Sequence, residues 1–178
     1  MRPNILIALL TAGIAVSAVA APAPVTSSSE ILTQRQGLYF SSLGFKVETT
    51  GTSWQKTSDS PILRWSPSED SNKPPAEFSI IHRTLKESAT LKSIITSSKG
   101  DFSRLGLKVD KAYPTKINGH LAYFFDLFNG SNQRMIRQLI MVDKKNLYTL
   151  TCQSHQDDFG KIATDCNRMF NHFQLIEP

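Results

Sequence analysis

Within LTCQSHQDDFGKIATDC, residues 150–166, lie two cysteines, one histidine and three aspartates. Cys152 and Cys166 with His155 and the acids could ligate a metal, since thiolate, imidazole and carboxylate are its usual donors. A thiolate beside a base could instead act as a nucleophile. Two thiols in an oxidising compartment form a disulfide. Choosing among the three requires the compartment and the elements that carry these residues.

The amino-terminal MRPNILIALLTAGIAVSAVAAPAP has one basic side chain at Arg2, an apolar run from Ile5 to Val16 and the small triplet Ala18-Val19-Ala20. That order reads as a secretory signal peptide over residues 1–20, cut after Ala20. The apolar run is short and alanine-rich for a membrane anchor, and no basic stop-transfer residues follow. Residues 21–36 begin with APAPVTSSSE and read as a flexible leader, leaving 37–178 as a single globular domain. The expected location is periplasmic or secreted. The chain carries 20 basic and 15 acidic side chains, but the basic ones are scattered, and an exported protein seldom meets nucleic acid. No membrane span is expected once the signal is removed.

In GLYFSSLGFKVETTGTSWQ, apolar and polar residues alternate through Phe45 and Val47, break at Gly51 and then present Trp54. This reads as a strand, a turn and a short continuation. A short apolar stretch from Ile62 to Trp65 precedes ten residues rich in Ser, Pro, Asp and Asn, a mobile surface loop. AEFSIIHRTL sets Phe78, Ile80 and His82 on one side of a strand, with Ile81 and Arg83 on the other. A helix follows from Ser88 as N-cap, with Leu91, Ile94, Ile95, Phe102 and Leu105 near one face and Gly100 ending or bending it.

The second half is more regular. VDKAYPTKI, HLAYFFDLF, QRMIRQLIMVD and LYTLTC are separated by short turns, the first being Asn118-Gly119. Asn-Gly suits a type I′ hairpin because both central residues need positive φ, so an antiparallel meander of about four strands is expected. HLAYFFDLF is apolar on both faces and needs cover on both. From Asp157 to Phe173, Phe159, Ile162, Ala163, Cys166, Phe170 and Phe173 recur at helical spacing. Ser154 and Asp157 resemble a capping box, and Asp157 and Asp158 suit the positive end of the helix dipole. The economical arrangement is an α+β fold: an α/β/α sandwich around a central antiparallel sheet, with the C-terminal helix packed on it.

These elements decide the opening question. Cys152 follows Tyr148 and Leu150 at period two, so it shares their side of the last strand, and Cys166 lies on the helix stripe that faces the sheet. A Cys152–Cys166 disulfide is expected, with no metal and no cofactor. A zinc site would have to turn solvent-facing His155 inside out, and the nearby carboxylates would disfavour a thiolate nucleophile. Asp165, like His155, is expected to face solvent. His82, His120, His155 and His172 form no HExxH pattern, and no GxSxG, Walker or dinucleotide motif occurs. A candidate binding surface remains at the polar loop: Trp54, Trp65, Arg64 and Lys73, with core packing of the tryptophans as the alternative.

"LGFKVETTGTSW", the strand and helix after it, "KINGHLAYFF", and "LYTLTC" leading to a helix that closes on "FNHFQLI" together resemble the PsbP-like proteins, grouped with the Mog1 and DcrB-like domains. The "P-x-x-W" proline common before the family's tryptophan is missing here. The resemblance implies an α/β/α sandwich with no shared catalytic residues and a role in binding or assembly. The expected function is a noncatalytic protein-binding or assembly module of the bacterial cell envelope, its partner another envelope or secreted protein. A toxin-immunity protein, or a small-ligand-binding protein or hydrolase with a cleft near the polar loop, is the alternative.

Overall fold

The computed structural model describes residues 33–35, 37–58, 62–69, 72–85 and 89–176. The expected signal peptide and the expected leader up to residue 32 therefore lie outside the described residues. In chain order the elements are β1 (Thr33–Arg35), β2 (Leu38–Ser41), β3 (Phe45–Glu48), β4 (Trp54–Ser58), β5 (Leu63–Pro67), β6 (Ala76–Thr84), α1 (Leu91–Arg104), β7 (Leu107–Ile117), β8 (His120–Asn129), β9 (Arg134–Asp143), β10 (Asn146–His155), α2 (Gln156–Asn171) and β11 (Phe173–Leu175). β1 falls within the segment whose composition suggests a leader, and pairs antiparallel with β2.

A seven-stranded antiparallel sheet runs β4-β5-β6-β10-β9-β8-β7, and a four-stranded one runs β1-β2-β3-β11. The meander expected from turn chemistry is β7 to β10. Asn118 and Gly119 have φ of 49° and 87°, as a type I′ turn requires. Asn118 also ties this turn to the chain's end: its Nδ2 donates to the carbonyls of Asn171 at 3.1 Å and Phe173 at 2.6 Å.

Both faces of the large sheet carry cover, one of them over only part of its width. On one, Ile94, Ile95 and Phe102 of α1 pack against Phe125, Leu127, Ile136, Ile140 and Leu147. On the other, Phe159, Ile162, Cys166, Met169 and Phe170 of α2 share a core with Phe78, Ile80, Leu150 and Cys152, joined by Tyr39, Phe45, Val47 and Phe173 of the small sheet. The layering is helix, sheet, then helix plus small sheet. The chain around Gly51 departs from a simple strand and continuation: β3 belongs to the small sheet and β4 to the large one, so the turn hands the chain between layers.

Both helix starts differ from expectation. Thr90 caps α1, its Oγ1 accepting from the Ser93 amide at 3.2 Å; Ser88 lies outside the described residues. Gly100 sits inside α1 rather than ending it, because the buried stripe continues through Phe102 on the far side. At α2, β10 runs on through His155, which pairs with Arg134. Ser154 is turned inward and donates its hydroxyl to the His155 carbonyl at 3.1 Å. His155 is therefore the cap, its Nδ1 accepting from the Asp157 amide at 3.4 Å. Asp157 and Asp158 occupy the first turn of α2, as the dipole favours.

Candidate functional site: a polar cleft on the large sheet

α1 lies over β7, β8 and β9, and the β5–β6 half of the same face carries polar side chains instead. Strand alternation and register set them abreast. Arg64 on β5 faces Ser79 on β6, Ser79 faces Thr151 on β10, and Thr151 faces Gln138 on β9. One step along, Glu77 on β6 faces Gln153 on β10. Because these positions sit on paired strands rather than loops, their directions are fixed by the ladder.

The groups are coupled pairwise. Gln138 Nε2 donates to Thr151 Oγ1 at 3.2 Å, and Gln153 Nε2 donates to Glu77 Oε1 at 3.1 Å. Glu77 Oε2 stands 3.9 Å from Arg64 Nε, an ion pair without a hydrogen bond. Two enclosed groups lack an acceptor or a donor: Arg64 Nε and Gln138 Oε1. Native proteins leave few such groups, and each one calls for an explanation.

Arg64, Glu77 and Gln153 open onto a cleft of ≈ 260 Å³ with Arg134, Ser66, Pro75 and Ala76. Among the described residues Arg134 has no ion-pair partner. The cleft shares Ser66, Pro75 and Ala76 with a groove of ≈ 660 Å³ bounded by Gln55, Lys56 and Thr57 of β4 and by Pro67, Ser68, Glu69, Lys73 and Pro74. Two guanidinium groups against one carboxylate leave the smaller cleft with one surplus positive charge. It can hold an anion; its carboxylate is already engaged by Gln153.

Of the four residues first assigned to a binding surface, the structure brings Arg64 into the cleft and Lys73 to the groove. The two tryptophans are corrected to the core: Trp54 is 3 % exposed and Trp65 0 %. Trp65 meets Tyr39 and Phe78 edge-on, with centroids at 5.7 Å in each case. Burying so large an apolar ring outweighs any benefit of displaying it. Lys73 Nζ lies 3.3 Å from Asp165, so Asp165 does not face solvent as expected; it fastens the groove's wall to α2.

The two cysteines are joined by a disulfide with Cα atoms 5.9 Å apart, both buried between β10 and α2. Histidines take separate structural tasks. His82 Nε2 lies 3.0 Å from Asn146 Oδ1, and His172 Nδ1 lies 2.9 Å from the Glu48 carbonyl. No group of three or more His, Cys, Asp or Glu side chains arranged to hold a metal occurs among the described residues.

Arg134, Glu77, Gln138, Thr151 and Gln153 were not singled out from sequence. Part of their signal was present: Thr149, Thr151 and Gln153 recur at period two in TLTCQSH, and Glu77 and Ser79 in AEFSII, while Arg134 and Gln138 have Ile136 between them. What sequence could not supply is which half of the face α1 would leave open.

No protein-family model matches the chain, and no curated protein does. Solved structures do match in fold. A Pseudomonas aeruginosa protein of unknown function aligns with a TM-score of 0.58 at 14 % identity, over 83 % of this chain and 97 % of that one. LpqN of Mycobacterium tuberculosis, involved in cell envelope biogenesis, aligns at 0.57 and 11 % identity over 75 % and 83 %. The cyanobacterial PsbP, CyanoP, from Synechocystis aligns at 0.52 and 13 % over 75 % and 87 %. The PsbP-like likeness is thus one of fold.

Proposed function

We propose that this chain is an exported, noncatalytic binding module of the cell envelope that docks another protein against the β4–β6 end of its large sheet. The observation that carries the reading is the cleft in which strands β5, β6, β9 and β10 hold Arg64, Glu77, Arg134 and Gln153. Guanidinium and carboxamide groups on rigid strands bind and orient a partner rather than transfer a group to it. Two further facts support the setting. The disulfide suits an oxidising compartment, and a similar fold occurs in LpqN, described as involved in cell envelope biogenesis.

Crosslinking and affinity capture from envelope extracts test the reading, with the wild type beside an Arg64→Glu/Arg134→Glu variant. A specific protein recovered by the wild type and lost by the variant is the expected result. Recovery of no specific protein by the wild type would sink the proposal.

A further inference from the structure

Resting on that reading, we infer that the partner presents an extended acidic segment, one carboxylate of which sits between Arg64 and Arg134 while its chain runs on through the adjoining groove. Charge selects a carboxylate. With Glu77 as internal counter-ion, the cleft is balanced by one added negative charge, whereas a phosphate dianion would leave an excess beside Glu77. Geometry agrees: Arg64, its side chain 31 % exposed, and Arg134 both line the cleft, Arg134 has no ion-pair partner among the described residues, and a guanidinium fork matches a planar carboxylate.

Continuity selects a peptide over a free anion. A bare carboxylate would fill only the ≈ 260 Å³ cleft, yet that cleft shares Ser66, Pro75 and Ala76 as walls with the ≈ 660 Å³ groove. One wall of the groove is β4, paired with β5, and its elongated lining suits an extended segment. Pro67, Pro74 and Pro75 give apolar contact, while Gln55, Ser66 and Ser68 offer hydrogen bonds.

Nuclear magnetic resonance titration of the oxidised, isotope-labelled protein tests this with four probes: acetyl-Ala-Ala-Glu-Ala-Ala-amide, its Gln counterpart, acetate and inorganic phosphate. The Glu peptide should shift the Arg64 and Arg134 side-chain Nε–H signals together with backbone amides of residues 55–57 and 66–69. Acetate should move only the cleft signals. The Gln peptide, and the Glu peptide on Arg134→Gln protein, should bind about tenfold more weakly or worse, the scale of a lost charge-assisted hydrogen bond. Lys116→Gln, on the far edge of the sheet, should change nothing. Equal binding of Glu and Gln peptides, tighter binding of phosphate than acetate, shifts elsewhere, or no shift at millimolar peptide each overturns the inference. If the Arg64→Glu/Arg134→Glu protein still captures the same envelope protein, the acidic-segment inference fails while the binding-module reading survives. If the Glu peptide binds as expected but no envelope protein is captured, the site stands and the module reading fails.

Discussion

Arg137 on β9 grips Asp126 on β8 through two parallel hydrogen bonds, Nε to Oδ1 at 2.8 Å and an η-nitrogen to Oδ2 at 3.0 Å. The same guanidinium lies over the rings of Phe124 and Phe159, at 5.1 and 5.2 Å, and donates to Asn167 Oδ1 at 2.8 Å. It is the polar pin between the meander and α2. Both side chains are largely enclosed, so removing one partner strands the other's charge. Asp126→Ala should cost roughly 3–5 kcal/mol in urea unfolding, and Asp126→Leu with Arg137→Met clearly less, because the pair's own net contribution is small.

Cys152 and Cys166 are 14 residues apart. Denaturing alkylation without reductant should find no free thiol. Cys152→Ala/Cys166→Ala should lower stability by about 3 kcal/mol, the chain-entropy value for a loop of this size. Two reactive thiols in protein kept free of reductant would contradict the pairing.

Burial of both tryptophans has a direct optical consequence. Their emission should be blue-shifted relative to the unfolded chain and resist quenching by iodide. Strong iodide quenching in the folded protein would restore them to the surface.

Asn118 has two duties that substitution can separate. Asn118→Gly keeps the positive φ of the hairpin turn but loses the bonds to Asn171 and Phe173. It should cost about 1–2 kcal/mol and speed hydrogen exchange at the end of α2 and in β11, leaving the meander protected. Asn118→Ala should be worse, since it also strains the turn.

Burial, and next the carboxylate of Asp143, raise the Tyr148 phenol above its ordinary 10.0. Its hydroxyl donates to the Leu43 carbonyl at 3.2 Å. A raised folded value means that the unfolded chain loses this proton first. The stability Tyr148 contributes is therefore complete below pH about 10 and falls as pH rises toward the folded value. Tyr148→Phe should flatten that alkaline decline in thermal melts.

The second half of the chain was legible because its signals are local. Asn118-Gly119 fixed a turn, and Tyr148, Leu150 and Cys152 at period two fixed the face that carries the disulfide. The small sheet was not, because it joins β3 to β11 across most of the chain and both are very short. Arg64 was singled out beside the polar loop and Lys73 within it. Trp54 and Trp65 misled for a recoverable reason: Leu63 and Trp65 alternate like a core-facing strand, a spacing that argued for burial more strongly than proximity to a loop argued for display. Gln138 and Thr151 are far apart in sequence, and only the strand register sets them side by side.

Pairing of β11 with β3, Phe173 opposite Val47, constrains the order of assembly. The meander can close turn by turn from contacts near in sequence, but β3 cannot complete its sheet until Phe173–Leu175 has been delivered. Until then Phe45 and Val47 lack their lid, and the half-made molecule exposes them. A chain built this way gains little by closing its small sheet early, and it benefits from holding β3 open until β11 is free to pair.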